Sequence, residues 1–422
     1  MSNKEKSPLV PQRRFPEFQS ADGWINNPLM EVCSKITQGG TPDTSKPEYW
    51  GGSINWMTPA EMGKTESPFI NTTNRTITEL GLSDCSSEVL PFKSVILSVR
   101  APIGHLAINT APMAINQGCK GLIAGASLDC YFLYFSLINS KGQLIDLGAG
   151  NTFKELSGSA LKSFEIPIPS LPEQQKIADC LSSLDELIAA QARKVAALKT
   201  HKKGLIQQLF PCEGETQPRL RFPEFRDAGE WQETRLGQLG ELVSGLTYSP
   251  DDVRESGLLV LRSSNVQNGK IALDDCVYVE PNIKGANLSS ANDILICVRN
   301  GSTALIGKNA LIPEGMPLCT HGAFMTVFRS KSPEFVFQLL QTDKYQKQVA
   351  GDLGATINSI NGGQLVKYKF MVPKRAEQLK LAELLSSIDD LIATETQGLG
   401  GLKIHKRGLM QQLFPSAEAV EA

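Results

Sequence analysis

The sequence predicts an α+β protein with an internal tandem repeat and pseudo-twofold symmetry, in which two β-rich mixed α/β domains are separated by two long helices. Three observations predict this fold class. The stretch 171–211 carries a heptad pattern of apolar residues, the same pattern recurs at 376–415, and the region before each copy contains short β-rich runs. We expect the two helices to pack as an antiparallel coiled coil.

The first long helix is indicated by apolar residues that alternate at steps of four and three. Such a stripe is not buried by one helix alone, so the helix needs a partner. Gln191 and Lys202 are polar positions within the stripe. The apolar positions are Ile177, Leu181, Leu184, Ile188, Val195, Leu198, Leu205 and Leu209.

The partner lies in the same chain, because adding 204 to each position of the first stretch reaches a second copy without a gap. Glu173 and Gln174 become Glu377 and Gln378, for example. The stripe of this second helix consists of Leu381, Leu385, Ile388, Ile392, Glu395, Leu399, Leu402, Lys406, Leu409 and Leu413. The second β-rich region connects the end of the first helix to the beginning of the second, which favours the antiparallel arrangement.

One difference between the copies predicts a weak stretch in the second helix. Gly398, Gly400 and Gly401 stand where the first helix has lysine or alanine. Each glycine costs roughly 0.5–1 kcal/mol relative to alanine inside a helix. We therefore expect bending or fraying there.

The repeat divides the chain into seven segments. A second repeated motif opens each half, since PQRRFPEFQSADGW at 11–24 recurs as PRLRFPEFRDAGEW at 218–231, and we interpret it as a docking segment that packs on helix ends. Residues 1–14 are polar and predicted to be flexible. The segments are an arm with the first docking segment at 1–28, a first domain at 29–169, the central helix at 170–211, a linker with the second docking segment at 212–235, a second domain at 236–373, the distal helix at 374–415 and a disordered tail at 416–422.

Within the two domains, turn-forming residues separate short runs that favour strands. Strands are predicted at 53–57, 94–100, 164–169, 258–262 and 293–298, and helices at 128–138 and 333–349.

Composition excludes several classes of protein. No apolar run reaches the ~18 residues of a membrane span, and no apolar signal core opens the chain. The nine cysteines form no CxxC motif, which predicts free thiols in a cytoplasmic protein. The net charge of −2 and the isoelectric point near 6.2 do not favour nucleic acid binding by themselves. If the chain binds DNA, its positive charge must be local or supplied by partners.

Catalytic motifs are absent from the sequence. There is no GxxxxGK[ST] phosphate loop, no glycine-rich turn for a methyl donor and no nucleophile constellation. The histidines at 105, 201, 321 and 405 lack neighbours at metal-ligand spacing, so we predict no metal site. We interpret His201 and His405 as solvent-facing helix residues and predict that the chain is not an enzyme.

Candidate DNA contacts follow from fixed points shared by the two domains. KSVILSVRAPIG aligns with NDILICVRNGS and places Arg100 opposite Arg299, each at the end of an apolar strand. Arginine can bind guanine, asparagine can bind adenine, and serine or threonine can bind phosphate or base. The alternative is a structural arginine paired with a carboxylate. The candidates are Thr58, Glu61, Ser98, Arg100, Lys154, Arg262, Ser263, Asn265, Arg299, Asn300 and Asn358.

Two paired basic patches lie on the long helices. Lys199, Lys202 and Lys203 correspond to Lys403, Lys406 and Arg407. They could contact phosphate, but a run of charge on a coiled coil is more often solvated or used to dock a partner.

The doubled helix motif, the RFPEF openings with their tryptophans and the VRAPIG strand end together resemble the specificity subunit of type I restriction–modification enzymes. The resemblance covers nearly the whole chain. It implies two target-recognition domains, each reading one half of a bipartite, asymmetric site in double-stranded DNA, held apart by helices that set the spacer. It also implies assembly with two methyltransferase subunits, which dock on the helices, and with restriction subunits. S-adenosylmethionine, ATP and Mg²⁺ would then belong to those partners.

Two alternatives stay open on the residues alone. One is a coiled-coil scaffold protein without DNA readout. The other is the reader part of a DNA-modifying enzyme of another type.

Overall fold

The computed structural model describes residues 8–64, 67–149, 155–353 and 358–415. The predicted tail at 416–422, the first seven residues of the arm and the candidate Lys154 lie outside the described residues. The chain forms two compact units. Unit 1 comprises residues 1–193 and 397–422, and unit 2 comprises residues 194–396.

Unit 1 contains three sheets among its described residues. The strands are β1 Ile25–Pro28, β2 Cys33–Gln38, β3 Trp50–Met57, β4 Phe69–Ile70, β5 Thr76–Ile77, β6 Val95–Ser98, β7 Leu106–Asn109, β8 Met113–Ile115, β9 Cys119–Ala124 and β10 Glu165–Ile168. One sheet has the order β2-β9-β6-β7-β4, a second has the order β5-β3-β8, and β1 pairs with β10. The helices are α1 Leu29–Val32, α2 Pro59–Met62, α3 Glu79–Asp84, α4 Cys130–Asn139, α5 Lys141–Ala149 and α6 Gly158–Ser163.

The long helix α7 Leu171–Leu209 leads from unit 1 into unit 2. In unit 2 the strands are β11 Gln232–Arg235, β12 Gly240–Ser244, β13 Val253–Arg254, β14 Leu258–Leu261, β15 Val266–Gln267, β16 Lys270–Ile271, β17 Tyr278–Val279, β18 Ile294–Cys297, β19 Asn309–Leu311, β20 Cys319–His321, β21 Met325–Ser330 and β22 Lys369–Val372. The main sheets have the orders β12-β21-β18-β19 and β13-β17-β14-β20. The helices are α8 Leu236–Leu239, α9 Pro333–Leu339, α10 Asp343–Asp352 and α11 Gly362–Leu365, and the second long helix is α12 Arg375–Leu413.

Most predicted elements agree with the structure within a few residues, but the single helix expected at 333–349 is wrong. Two helices, α9 and α10, occupy that range. The side chain of Thr342 accepts a hydrogen bond from the backbone N–H of Tyr345 and so caps the start of α10. This capping chemistry starts a new helix where the apolar pattern alone indicates a continuation.

Both long helices are continuous over 39 residues. The expected fraying at Gly398, Gly400 and Gly401 is not observed, because α12 passes through all three. In each unit the second half of one long helix packs against the first half of the other. About half of the apolar positions of the heptad stripe are half-buried, and the buried ones are Ile177, Leu181, Val195, Leu209, Leu381, Leu385 and Leu413. The partial burial is typical of a two-helix coiled coil.

Each unit builds its core from both long helices. In unit 1, Ile177 and Leu181 of α7 pack with Leu413 of α12 and with the apolar faces of α4 and β6. In unit 2, Leu381 and Leu385 of α12 pack with the other helix in the same way. The helices are therefore parts of the units themselves, and the predicted division into separate helix segments does not coincide with the compact units.

All nine cysteines are free thiols, as the sequence predicts. Over the described ranges, no helix is long and apolar enough to cross a membrane.

Candidate nucleic-acid interface

The first docking segment fastens the start of α7 to the end of α12 within unit 1. Arg14 binds Glu173 through two hydrogen bonds of 2.7 Å, from Nε to Oε1 and from Nη2 to Oε2. Both side chains are almost fully buried. The backbone N–H of Arg13 donates to the carbonyl of Gln412 at 2.9 Å. Residues 8–14 are thus held in place, which corrects the prediction of flexibility for that part of the arm.

The second docking segment repeats these contacts in unit 2. Arg221 binds Glu377 through two hydrogen bonds of 2.8 Å. The backbone N–H of Leu220 donates to the carbonyl of Gln208 at 2.9 Å. The prediction that both segments dock on helix ends is therefore confirmed.

A cluster of aromatic rings closes each docking site. In unit 1, Trp24 meets Phe414 edge-on with ring centroids 5.9 Å apart, and in unit 2 Trp231 meets Phe210 in the same way at 6.0 Å. Each phenylalanine belongs to the LFP sequence that ends a long helix. The LFP motif is therefore a core anchor for the docking segment.

The basic patches on the long helices separate into two groups. Lys406 forms an ion pair with Asp185 in unit 1, and Lys202 forms the equivalent pair with Asp389 in unit 2, each with a shortest N–O distance of 2.6 Å. These lysines are the polar positions of the heptad stripe, so they stabilise the helix pair and are not available to phosphate. The neighbouring cations Lys199, Lys203, Lys403 and Arg407 are exposed.

The strand ends that carry most of the candidate DNA contacts are brought together in each unit by a short loop. In unit 1, the loop 116–118 links the end of β3 to the end of β6, because Asn116 N–H donates to the Met57 carbonyl and Val99 N–H donates to the Gly118 carbonyl, both at 2.8 Å. In unit 2, the loop 322–324 makes the equivalent links between β14 and β18 at 3.0 Å. The ends of β3 and β6 in unit 1 and the ends of β14 and β18 in unit 2 therefore form equivalent edges, one in each unit.

At the edge of unit 1, Thr58 and Glu61 support the backbone. The Thr58 hydroxyl accepts a hydrogen bond from Glu61 N–H and caps α2. The Glu61 carboxylate accepts a hydrogen bond from Asn74 N–H at 2.7 Å. Glu61 thus positions the polar loop 71–75, with the sequence Asn-Thr-Thr-Asn-Arg.

Arg75, at the end of that loop, is a candidate that sequence reasoning missed. Its guanidinium lies 3.7 Å from the ring centroid of Trp50 and 5.4 Å from that of Trp56. The side chain is exposed, and stacking on a tryptophan holds an arginine in one orientation. The available signal in the sequence was the run of small polar residues that ends in arginine.

Ser98 and Arg100 follow β6. Ser98 is fully buried, and its hydroxyl donates to the Pro102 carbonyl and accepts from His105 N–H, both at 2.8 Å. Ser98 therefore has a structural role, which corrects its selection as a DNA contact. Arg100 is exposed and pairs with Glu155 at 3.1 Å, as the alternative interpretation of this arginine proposed.

In unit 2, Asn265 also has a structural role. It is fully buried, its amide oxygen accepts from Arg262 N–H at 2.8 Å, and its amide nitrogen donates to the carbonyls of Ala272 and Asp275. Its selection as a DNA contact is corrected for the same reason as that of Ser98. The Arg262 side chain forms an ion pair with Asp275, with Nη2 2.7 Å from Oδ1.

The remaining candidates of unit 2 form one polar cluster at the ends of β14 and β18. The Asn300 side chain donates to the Ser263 hydroxyl at 3.0 Å, and the Asn358 side chain donates to the Gly301 carbonyl at 3.3 Å. Arg299 precedes Asn300 and is exposed, with its guanidinium 5.8 Å from the ring centroid of Phe324. Phe324 is 57% exposed, so an aromatic face and a cation stand side by side at the surface.

Two histidines have shifted protonation equilibria, and neither lies in a metal site. Burial lowers the pKa of His321, whose ring nitrogens contact the Ser289 hydroxyl at 3.0 Å and the Val243 carbonyl at 2.9 Å. Burial also lowers the pKa of His105, with a smaller effect from Lys141. Within the part of the chain that the structure describes, no group of three or more His, Cys, Asp or Glu residues could hold a metal ion.

Comparison with known proteins identifies relatives along most of the sequence. The family model of the type I restriction modification DNA specificity domain matches residues 21–200 and 228–403. The type I restriction enzyme MjaIX specificity subunit of Methanocaldococcus jannaschii is 35% identical over 250 residues, which cover 56% of this chain and 57% of that subunit. The EcoR124I/EcoR124II specificity subunit of Escherichia coli is 32% identical over 174 residues, which cover 39% of this chain and 42% of that subunit.

Solved structures share the fold. The crystal structure of the type I restriction–modification S subunit from M. genitalium superposes with a TM-score of 0.62 at 17% identity, covering 97% of this chain and 100% of that one. A chain from a structural study of complex assembly and conformational transition of the type I restriction–modification system gives a TM-score of 0.56 at 17% identity, covering 93% and 98% of the two chains. Because the family model matches one copy of its domain in each half of the sequence, the chain belongs to the type I restriction–modification DNA specificity family and carries the specificity domain twice.

Proposed function

We propose that this chain is the DNA-reading subunit of a type I restriction–modification complex, in which each unit reads one half of a bipartite, asymmetric site. The observation that carries the proposal is the duplicated strand-end edge. Both units present the same backbone links between two strand ends, but different side chains surround them. Two domains that bind different DNA sequences need the same backbone framework with different side chains in the loops.

The proposed contacts of unit 2 are Arg262, Ser263, Arg299, Asn300 and Asn358. Arg299 is the strongest of these, because its side chain is exposed beside Phe324, and a bidentate arginine contact is the commonest specific contact with guanine. Phe324 offers a face on which a base could stack.

The proposed contacts of unit 1 are Arg75, Arg100 and the loop 71–75. Thr58 and Glu61 act through that loop, since they hold its backbone. Lys154 is kept as a proposed contact on the sequence alone.

Chemistry belongs to partner subunits in this proposal. Two methyltransferase subunits would dock on the paired helices, and restriction subunits would join them for cleavage. S-adenosylmethionine, ATP and Mg²⁺ would bind to those partners, and the complex would work on double-stranded DNA in the cytoplasm. The target base must leave the helical stack to be methylated, and a pocket of the methyltransferase would receive it.

The spacer between the half-sites is proposed to follow from the helices. Two symmetric ion pairs, Lys202–Asp389 and Lys406–Asp185, support a single register for the helix pair. A fixed register gives a fixed length, and we infer that this length separates the two readers.

Exchange of one unit tests the proposal. Residues 236–373 would be replaced by the equivalent region of a relative that methylates a different motif, and the methylated sites of host DNA would be mapped. We expect one half of the motif to change and the other half to remain. A change in both halves would contradict independent reading.

Two further measurements separate the alternatives. The assembled complex should bind DNA with a sequence preference in a gel shift, whereas a scaffold protein without readout would show none. The purified chain should transfer no label from a methyl donor to DNA. Transfer that persisted after complete removal of methyltransferase subunits would support a single-chain enzyme.

A further inference from the structure

Each unit contains a groove at the end of a long helix. In unit 2 the groove has a volume of about 1060 Å³ and lies between the last turns of α7, the connection that follows it and the start of α10. In unit 1 the groove has a volume of about 860 Å³ and lies between the last turns of α12, the first docking segment and the start of α5. The two grooves are equivalent in the repeat, since Gln207 and Phe210 of one correspond to Gln411 and Phe414 of the other.

The two grooves differ in charge. Within the described ranges of unit 2, seven lysine or arginine side chains and three carboxylates line its groove. Among the described residues that line the groove of unit 1, Glu165 is the only charged one. The change is visible at matched positions, because Lys369 and Arg219 of unit 2 stand where unit 1 has Glu165 and Gln12.

Several cations of the unit 2 groove form exposed ion pairs, whose carboxylates they can exchange at little cost. Lys347 pairs with Glu213, and both side chains are more than two-thirds exposed. Lys369 pairs with Glu233, and both side chains are about half exposed. Exposed pairs of this kind contribute little net free energy, so a phosphate can replace the carboxylate. Lys202 is the exception, because its ammonium forms a partly buried ion pair with Asp389 between the two long helices.

The lining of the groove suits phosphate better than a protein surface. Its large apolar members, Ile206 and Phe210, are buried in the core of unit 2, and the smaller Pro211 and Cys212 are half-buried. The groove therefore offers no large exposed apolar anchor. Protein interfaces depend on buried apolar or aromatic anchors at their centre. Lysines on flexible stems, in contrast, bind phosphate as point charges without fixed geometry.

We propose that the groove of unit 2 binds the sugar–phosphate backbone of DNA without reading its sequence, and that the groove of unit 1 does not. This inference rests on the proposed function. It accounts for DNA binding by a chain of nearly neutral net charge, because the positive charge is concentrated in one place. It also predicts that salt weakens DNA binding by unit 2 more than DNA binding by unit 1.

The test neutralises the groove in the full chain assembled with its methyltransferase subunits. The variant carries Lys199→Gln, Lys203→Gln, Lys344→Gln and Lys347→Gln, and the matched control carries arginine at the same four positions. The dissociation constant for cognate DNA would be measured over a series of salt concentrations. We expect the plot of log K against log salt to become shallower by about 0.9 for each phosphate that the groove no longer neutralises. Binding should weaken by at least about tenfold at moderate salt, with the methylated motif unchanged.

A gain-of-charge variant tests the same idea in unit 1. Glu165→Lys combined with Gln12→Arg should make the salt dependence steeper. In the experiment on unit 2, the control with arginine at positions 199, 203, 344 and 347 should keep the slope of the wild-type complex. Melting temperatures would confirm that all variants are folded.

Two results would overturn the inference. One is an unchanged salt slope in the glutamine variant. The other is failure of that variant to assemble with the methyltransferase in the absence of DNA, which would identify the groove as a protein-docking surface. A wild-type complex without any sequence preference would instead contradict the proposed function, so the two failures are distinguishable.

Discussion

Lys202 of α7 and Asp389 of α12 form an ion pair in unit 2, with Nζ 2.6 Å from Oδ2, and Gln338 donates a second hydrogen bond to the same oxygen at 2.8 Å. Lys406 and Asp185 form the equivalent ion pair in unit 1. A polar residue at an a or d position of a coiled coil is costly unless it finds a matching group, and it thereby selects one register. We infer that these pairs prevent the two helices from slipping by a heptad.

Removal of the lysine should destabilise unit 2. Lys202→Met leaves the half-buried Asp389 carboxylate without its cation, and we expect the free energy of unfolding to fall by about 1–2 kcal/mol. Chemical denaturation of the full chain would measure the loss, and hydrogen exchange would locate it in unit 2. The reversed pair, Lys202→Asp with Asp389→Lys, should recover part of the stability.

Lys380→Met is the matched control for this prediction. Lys380 lies 3.7 Å from Glu383 on the exposed face of α12, and such a pair contributes little. An equal loss of stability in both variants would show that the position on the helix, and not the ion pair, is responsible.

The two repeat-equivalent arginines should contribute unequally to DNA binding. Arg299→Ala should weaken binding of the assembled complex by about 1–3 kcal/mol, because alanine cannot make the bidentate hydrogen bonds of arginine to a base. Arg100→Ala should have a smaller effect, since Arg100 must first leave Glu155. Binding titrations with cognate and single-base-changed DNA would measure both. Unchanged binding and an unchanged motif in the Arg299 variant would give that residue a structural role.

Lengthening the helices should lengthen the unread spacer. Seven residues inserted after Ala189, together with seven after Ala393, keep the heptad phase of both helices and preserve both ion pairs. Seven residues add at most about 10 Å to a helix. We expect the two half-sequences to stay the same while the spacer between them grows, as read from mapped methylation sites.

The single insertions are the controls for this experiment. An insertion in one helix only shifts its pairing by seven residues, so Lys202 or Lys406 loses its aspartate. Assembly of the single variants should therefore be weaker than that of the double variant. An active double variant with the original spacer would show that the length of these helices does not set the distance between the half-sites.

Acid should destabilise unit 2 through His321. Burial lowers the pKa of this histidine in the folded chain, so the unfolded chain, with a pKa near 6.5, binds a proton more readily. The stability contributed by neutral His321 is therefore complete above about pH 6.5 and decreases as the pH falls from there towards the lower folded pKa. The melting temperature of the wild-type chain, measured from neutral to mildly acidic pH, should fall more steeply than that of His321→Asn. His201→Asn, on the exposed face of α7, should leave the profile unchanged.

The long helices and their pairing could be predicted from the sequence. Heptad spacing and a repeat at a shift of 204 are properties of the order of residues, and they indicate both helices within two residues of their observed ends. The docking of Arg14 and Arg221 was indicated by repetition of the RFPEF motif. These features were predictable because periodicity and repetition are visible without knowing which distant residues meet.

The roles of individual polar residues were decided by the tertiary structure. Ser98 and Arg100 are two residues apart, yet one is enclosed by backbone groups of its own turn and the other reaches the surface. Lys202 and Lys203 are adjacent in sequence, but only Lys202 faces the other helix and its aspartate. Arg75 became a candidate because its guanidinium lies over the ring of Trp50, which meets Trp56 edge-on. In each case the free energy of a polar group depends on its burial and on its partners. For Lys202 and Arg75 those partners are distant in sequence, and only folding brings them together.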